Sequence, residues 1–577
     1  GIDAVFIEAG LEDWDGDQLC EDLFVRTSDW AYIGDCDITE FQGVSLGRQF
    51  LRDLHLFLYT YSRVSAALRY LINRFQPSEI ELVDMRTEFP ILPKSVKLFM
   101  VQELAKSNQL KFIDAYEPID PNDQDFAVGT NCFNIYANLL VTHRPTPNRI
   151  YERVLDFISH TFGRFRAPSR RVLVCATPIV LMPILSRLTS KDVGPAILAW
   201  RAPKKRDLRF VLDCLRRGVT WVAARPKALA SGDRRAIADM KDQLTAAWAA
   251  PADDTRLTAM RMFVRERIID PGHLEVMARE VLACREMMAR IKPHRILIDS
   301  MENPTARILA AIAKGMGVPT DFTLHGLEIE NLKMDIFGCD PRQPSHVDRL
   351  LSWGPHSEDW INAIGGDLEI HPIGHPLSAT ASHNVPTNAW DTALVLQGSP
   401  GICSIRGLHQ NQYVYFVILI RALNALGVSR VLFKLHPGAW RASYFERIKE
   451  HFDLKCDVVV DGNFQDFVRE SDFVIGPVSS GAMPETLALG RPYFPVALRP
   501  HCADVNSVRR LRAYEHLNAL IADLRDRRAP DLQGEIAYLL GDIMPEQPAD
   551  KLWRSIEESV LAMPRTVETP ARTASIS

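Results

Sequence analysis

Short apolar runs rich in Val, Ile and Leu recur along this chain and alternate with stretches of helical periodicity. They include residues 80–83 (IELV), 171–175 (RVLVC), 295–298 (RILI), 393–396 (ALVL), 431–433 (VLF), 458–460 (VVV) and 473–475 (FVI). A strand that is apolar at every position must be covered on both faces. With helices supplying the cover, the pattern calls for α/β architecture built on parallel sheets. At roughly 100–200 residues per domain, the length predicts three or four domains. A hydrophobic share of 47% against 24% charged residues is enough to fill several cores.

Residues 1–165 carry their own strand and helix signals, among them a long helical stretch at 51–75, and read as an N-terminal α/β region of unknown role. Pro145, Pro147 and Pro168 punctuate the passage to a second α/β unit over 166–376. A stretch of Ser, Thr, Asn and Pro at 378–388 reads as a linker into a third unit, 377–562. The tail 563–577, rich in Thr, Ser, Ala and Pro, is expected to be disordered.

Several function classes are disfavoured. A net charge of -5 gives no global reason to bind nucleic acid. The ten cysteines form no C-x-x-C pair, so no cysteine-based zinc site is expected, and their scatter suits a reducing compartment. Residues 1–10 (GIDAVFIEAG) lack the basic and long apolar regions of a signal peptide. The most apolar stretch, 172–185, is too short for a membrane span and contains Pro178 and Pro183. A basic cluster at Arg201, Lys204, Lys205, Arg206, Arg209, Arg216 and Arg217 reads either as a solvated helix face or as a peripheral contact with anionic lipid. The expected location is cytoplasmic, with any membrane contact at the inner face.

Two motifs in the last unit carry chemistry. In the first, the strand at 431–433 runs into Lys434-Leu435-His436-Pro437-Gly438. Open parallel sheets bind ligands beyond the carboxyl ends of their strands, so His436 stands where an imidazole can donate to a phosphate oxygen. In the second, the strand at 473–475 leads through Gly476-Pro477-Val478-Ser479-Ser480-Gly481 into a helix expected at about 483–489, with Pro484 in its first turn and Gly490 ending it. Backbone N–H groups at that helix start, with Ser479, Ser480 and Gly481, suit an anion. Glu485, one turn in, suits ribose hydroxyls. A simpler reading of the second motif is an N-capping serine. The loop at Gly398, after the strand 393–396, permits close approach of a phosphate or base, and Asp461 ends another strand, 458–460. No G-x-G-x-x-G pattern is present, so a nicotinamide cofactor is not expected.

A strand-end His-Pro followed by a Ser-Ser turn and a Glu-bearing helix resembles bacterial GT-B sialyltransferases, polysialyltransferases and Kdo transferases. It is also similar to the CDP-glycerol polymerases of wall teichoic acid synthesis. The resemblance covers roughly residues 290–500. It implies two facing Rossmann-like domains plus the extra N-terminal α/β region. It also implies nucleotide phosphates on His436, Ser479 and Ser480, and ribose on Glu485. A strand ending in Leu324-His325-Gly326 is similar to the His-Gly of those polymerases, which makes His325 the first candidate for the base that deprotonates an acceptor hydroxyl. Asp299 and Glu302, after the strand 295–298, compete for that role. The sialyltransferases also carry an acidic pair followed by Gly; Asp15-Gly16-Asp17 has the wrong order, which favours the His-Gly variant.

The expectation is an inverting, metal-independent glycosyltransferase that needs no cofactor. Its partners would be a nucleotide-activated sugar, best matched by a CMP-linked acidic sugar, and a glycan or lipid-linked glycan acceptor at the bacterial surface. The alternatives are a CDP-polyol phosphotransferase, a UDP-sugar 2-epimerase-like enzyme and a non-catalytic sugar- or nucleotide-binding scaffold.

Overall fold

The computed structural model describes residues 27, 29–83, 92–115, 170–176, 192–198, 219–222, 227–249, 254–299, 304–324, 346–363, 368–375, 390–397, 409–435, 442–478, 480–496, 513–530, 533–541 and 548–563. The N-terminal region opens with two short hairpins, β1 (Tyr32–Ile33) with β2 (Cys36–Asp37) and β3 (Glu40–Phe41) with β4 (Val44–Ser45). Helix α1 (Leu51–Phe75) follows, then β5 (Glu79–Val83), α2 (Lys94–Ser107) and β6 (Lys111–Ala115), with β5 and β6 paired in parallel. Leu54, Phe57, Leu58 and Tyr61 recur at helical spacing and are all buried.

The middle of the chain contributes β7 (Arg170–Cys175), β8 (Val193–Leu198), β9 (Thr220–Val222), α3 (Ser231–Ala247), α4 (Thr255–Val264), α5 (His273–Ile291), β10 (Arg295–Ile298), α6 (Pro304–Met316), β11 (Thr320–Thr323), β12 (Arg349–Ser352), α7 (Pro355–Ala363) and β13 (Glu369–Pro372). Its strands form one seven-stranded sheet, ordered β13-β12-β11-β10-β7-β8-β9, in which every pairing is parallel. Strand order reverses between β7 and β10. Inside this unit the fully buried Asp321 accepts from Arg349 Nε and Nη2, both at 2.9 Å, and pairs also with Arg295.

The last unit contains β14 (Thr392–Leu396), α8 (His409–Ala425), β15 (Arg430–Lys434), α9 (Ala442–His451), β16 (Asp457–Val459), α10 (Phe464–Glu470), β17 (Phe473–Pro477), α11 (Ala482–Ala488) and β18 (Tyr493–Val496), followed by α12 (Leu517–Arg525), α13 (Gln533–Leu540) and α14 (Pro548–Leu561). Its five strands run parallel in the order β16-β15-β14-β17-β18, so the order reverses between β14 and β17. Alternation along the strands divides the interior in two. Ala393, Val395, Val431, Phe433, Phe473 and Ile475 join one cluster, and Leu394, Leu396, Leu432 and Val474 join another. Side chains alternate across a strand, so an unbroken apolar run feeds a core on each face. The chain thus holds two Rossmann-like parallel α/β units.

Two tertiary features go beyond the sequence-based division of the chain. The described part of residues 1–165 shares one core with the seven-stranded sheet. Phe57 of α1 stacks on Phe263 of α4 with ring centroids 4.2 Å apart, and Arg307 of α6 donates to Gln49 Oε1 at 3.2 Å. Helix α14, which sequence order places in the last unit, buries Leu552, Trp553, Ile556 and Val560 in that same first core. Arg170 donates to the carbonyls of Val560 and Met563 at the end of α14, where the helix dipole favours a cation. The preceding helix α13 stays with the last unit through Leu539 and Leu540, while its Tyr538 hydroxyl donates to Asp359 Oδ2 of α7 at 2.9 Å. Among the described residues no helix is long and apolar enough to cross a membrane.

Candidate functional site

The carboxyl ends of β14, β15, β16 and β17 lie side by side, and the reversal point between β14 and β17 is where parallel sheets open a crevice for ligands. Each end brings a polar group. Gln397 follows β14, and its N–H donates to the Lys434 carbonyl at 3.0 Å. Lys434 closes β15. Asp461 follows β16 and is exposed. Beyond β17 come Ser480 and Gly481, then α11 with Glu485.

The turn after β17 is shaped by close packing. A Cβ on Gly476 would press into Tyr493 Oη and lie 3.0 Å from Leu396 Cδ1, so only glycine fits. The Tyr493 hydroxyl donates to the Pro477 carbonyl at 2.8 Å. The Val478 N–H then reaches Val496 O at 3.1 Å, and Ser480 N–H reaches Pro477 O at 3.2 Å. Ser480 Oγ accepts from Ala482 N–H at 3.2 Å, and Met483 N–H donates to Ser480 O at 3.0 Å. The hydroxyl oxygen therefore satisfies one donor of the helix start itself, and its proton remains the group to offer an oxyanion. Helix α11 runs over Ala482–Ala488 with Pro484 inside its first turn, and Gly490 follows at φ +70°.

Glu485 is half-buried. Burial raises its pKa to about 7, opposed by a hydrogen bond with Gln465 of α10. Gln465 is a partner that sequence reading did not identify; Asn463 two residues earlier caps α10 by accepting from Gln465 N–H at 3.3 Å. Lys434 was also unassigned. It is only 9% exposed, and its ammonium donates to Val460 O at 2.7 Å and to Leu435 O at 3.2 Å. Burial pulls its pKa down, and the nearby Asp461 charge opposes that shift.

On the first sheet, Asp299 ends β10 and is fully buried. Near it is Cys175, which pairs across from Ile298 at the end of β7 and which also feels the charge of Glu280 of α5. Thr305 Oγ1 donates to Glu280 Oε1 at 2.6 Å. Burial, then the Asp299 and Glu280 charges, push the Cys175 thiol up, and burial raises Glu280 as well. This cluster sits at the reversal point between β7 and β10 but is enclosed. The neighbouring strand β11 ends at Thr323, followed by the buried Leu324.

His325, Glu302, Gly398, His436 and Ser479 lie outside the described residues, as does the basic cluster 201–217. Of the sequence-derived site, the structure brings Asp461, Ser480, Gly481 and Glu485 to one edge of the second sheet, and places Asp299 on the first. Among the described residues no group of three His, Cys, Asp or Glu side chains is arranged to hold a metal ion.

No family model matches the chain, and neither does any curated protein sequence. Solved structures do resemble it. S. aureus MnaA with UDP aligns at TM-score 0.43 and 10% identity over 68% of this chain and 97% of that one. The UDP-GlcNAc 2-epimerase of Methanocaldococcus jannaschii aligns at 0.39 and 12% over 67% and 99%. The wall teichoic acid polymerase TagF aligns at 0.38 and 11% over 75% and 99%.

Proposed function

We propose that the protein is an inverting GT-B glycosyltransferase that works without a metal ion and moves a sugar from a nucleotide donor to a glycan or lipid-linked glycan acceptor. The observation that carries this reading is the placement of Gln397, Lys434, Asp461 and Ser480 after adjoining strands at the reversal end of a parallel sheet, with Glu485 in the helix that follows Ser480. In this reading His436, Ser479, Ser480 and Gly481 hold the donor phosphates. Glu485 accepts from the ribose hydroxyls, and Gly398 and Asp461 border the nucleobase. Fixed donors around the phosphates stabilise the charge that grows on the leaving nucleotide, the task a divalent cation performs elsewhere.

The acceptor hydroxyl needs a base. Glu302 is a candidate, and Asp299 would have to be uncovered before it could reach any acceptor. His325, following β11, is the better choice, since an imidazole titrates close to neutral pH. The donor that best suits the motif set is a CMP-linked acidic sugar. The acceptor would be a bacterial surface glycan, reached by peripheral contact of the basic cluster with the membrane.

A thermal-shift panel with CMP, CDP, UDP and GDP tests the donor site, because a ligand of the folded state raises the melting temperature. A cytidine nucleotide should give the largest shift. His436→Ala should abolish it, whereas His325→Ala should retain it and lose transfer. A shift with UDP alone would overturn the cytidine donor, and turnover of UDP-GlcNAc without any acceptor would replace transfer by epimerisation.

A further inference from the structure

We infer that Lys434 is an electrostatic positioning residue of the donor site: its ammonium ties the carboxyl ends of β15 and β16 together and holds a fixed positive charge at the crevice for the phosphate of the donor nucleotide. This deepens the donor-site reading above and rests on it. A lysine that is only 9% exposed is costly to keep charged, and a methionine or leucine would fill the same space without that cost. Among the described residues no carboxylate comes within ion-pair distance of Nζ; its partners are two neutral carbonyls, Val460 O and Leu435 O. Asp461 is near enough to oppose the loss of the proton. Carbonyl partners orient an ammonium without neutralising it, so the charge remains available to an anion.

The position in the sheet says where that charge stands. The Lys434 carbonyl accepts from Gln397 N–H at 3.0 Å, and its ammonium reaches the carbonyl after β16 at 2.7 Å. One residue therefore links the ends of three adjoining strands, β14, β15 and β16, on the side of the sheet where ligands enter. Asp461 follows directly from one of these linked ends. Loss of the ammonium would free the β16 end and remove the charge together. Burial lowers the lysine's pKa, and an arriving phosphate would restore it, so the protonated form and the ligand favour each other.

The test compares a charged ligand with its uncharged counterpart. Dissociation constants of CMP, CDP and cytidine, and of UDP and uridine, are measured by calorimetry for wild type, Lys434→Met and Lys434→Arg. Lys434→Met should weaken the nucleotide that wild type binds by about tenfold or more, while its nucleoside changes by less than about twofold. Lys434→Arg, which keeps the charge, should hold that nucleotide within about threefold of wild type. Equal losses for nucleotide and nucleoside would reduce Lys434 to a structural strut and overturn the inference, as would equal binding by wild type and Lys434→Met. If Lys434→Met does not fold, a Lys434→Arg variant that folds but loses the nucleotide overturns it equally. Wild type that binds none of CMP, CDP and UDP removes the donor site itself, and the inference with it.

Discussion

Replacing Glu485 with Gln should stabilise the protein above neutral pH and leave it unchanged in acid. The carboxyl ordinarily titrates at 4.5, and burial in the fold raises this to about 7. The folded protein therefore keeps a proton that the unfolded chain releases as pH rises from 4.5. The resulting stability is fully present below pH 4.5 and is lost as pH rises through about 7. The whole difference corresponds to about 3 kcal/mol. Solvent at the exposed side of the carboxyl screens part of it, leaving about 1–2 kcal/mol. Glutamine is isosteric, can keep the contact with Gln465 and does not titrate, so it escapes the loss. Calorimetric melting at pH 5 and pH 8 reads this directly. For a unit of this size about 2–4 °C accompanies each kcal/mol, so Glu485→Gln should melt several degrees above wild type at pH 8 and close to it at pH 5. Equal melting temperatures at pH 8, or the same gain at both values, would refute the burial argument and leave Glu485 solvated.

Other outcomes follow from single contacts. Asp321→Asn leaves Arg295 and Arg349 without their buried counter-charge and should cost about 3–5 kcal/mol in urea unfolding. Gly476→Ala drives a methyl into Tyr493 Oη and should cost about 1–3 kcal/mol; in a Tyr493→Phe background part of that cost should disappear, which a double-mutant cycle measures. Native thiol labelling followed by peptide mass spectrometry should modify the exposed Cys36 well before Cys175 or Cys284, whose burial keeps them inaccessible and protonated. Trp553→Ala should loosen α14 from the first core at a cost of about 3–5 kcal/mol, seen as a lower melting temperature.

Strands carrying short apolar runs were legible from the order of residues alone. Residues 295–298 form β10 as read, and 393–396, 431–433 and 473–475 lie inside β14, β15 and β17. The helix bearing Glu485 was legible too, because Pro484 and Gly490 punctuate it locally. Strand β8 was not, since Gly194 and Pro195 interrupt its apolar pattern and only its neighbours β7 and β9 hold it in the sheet. The same limit hid Gln465 beside Glu485 and the buried charge of Lys434, whose burial depends on strands that are distant in sequence. It also hid the return of α14 to the first core, and the union of α1 with that core through Phe57 and Phe263. Local periodicity states that a face must be covered, and this is enough to specify parallel α/β units and where their strands end. Which element supplies the cover is decided by contacts across hundreds of residues, such as Arg170 on the Val560 carbonyl, and those exist only once the chain has folded.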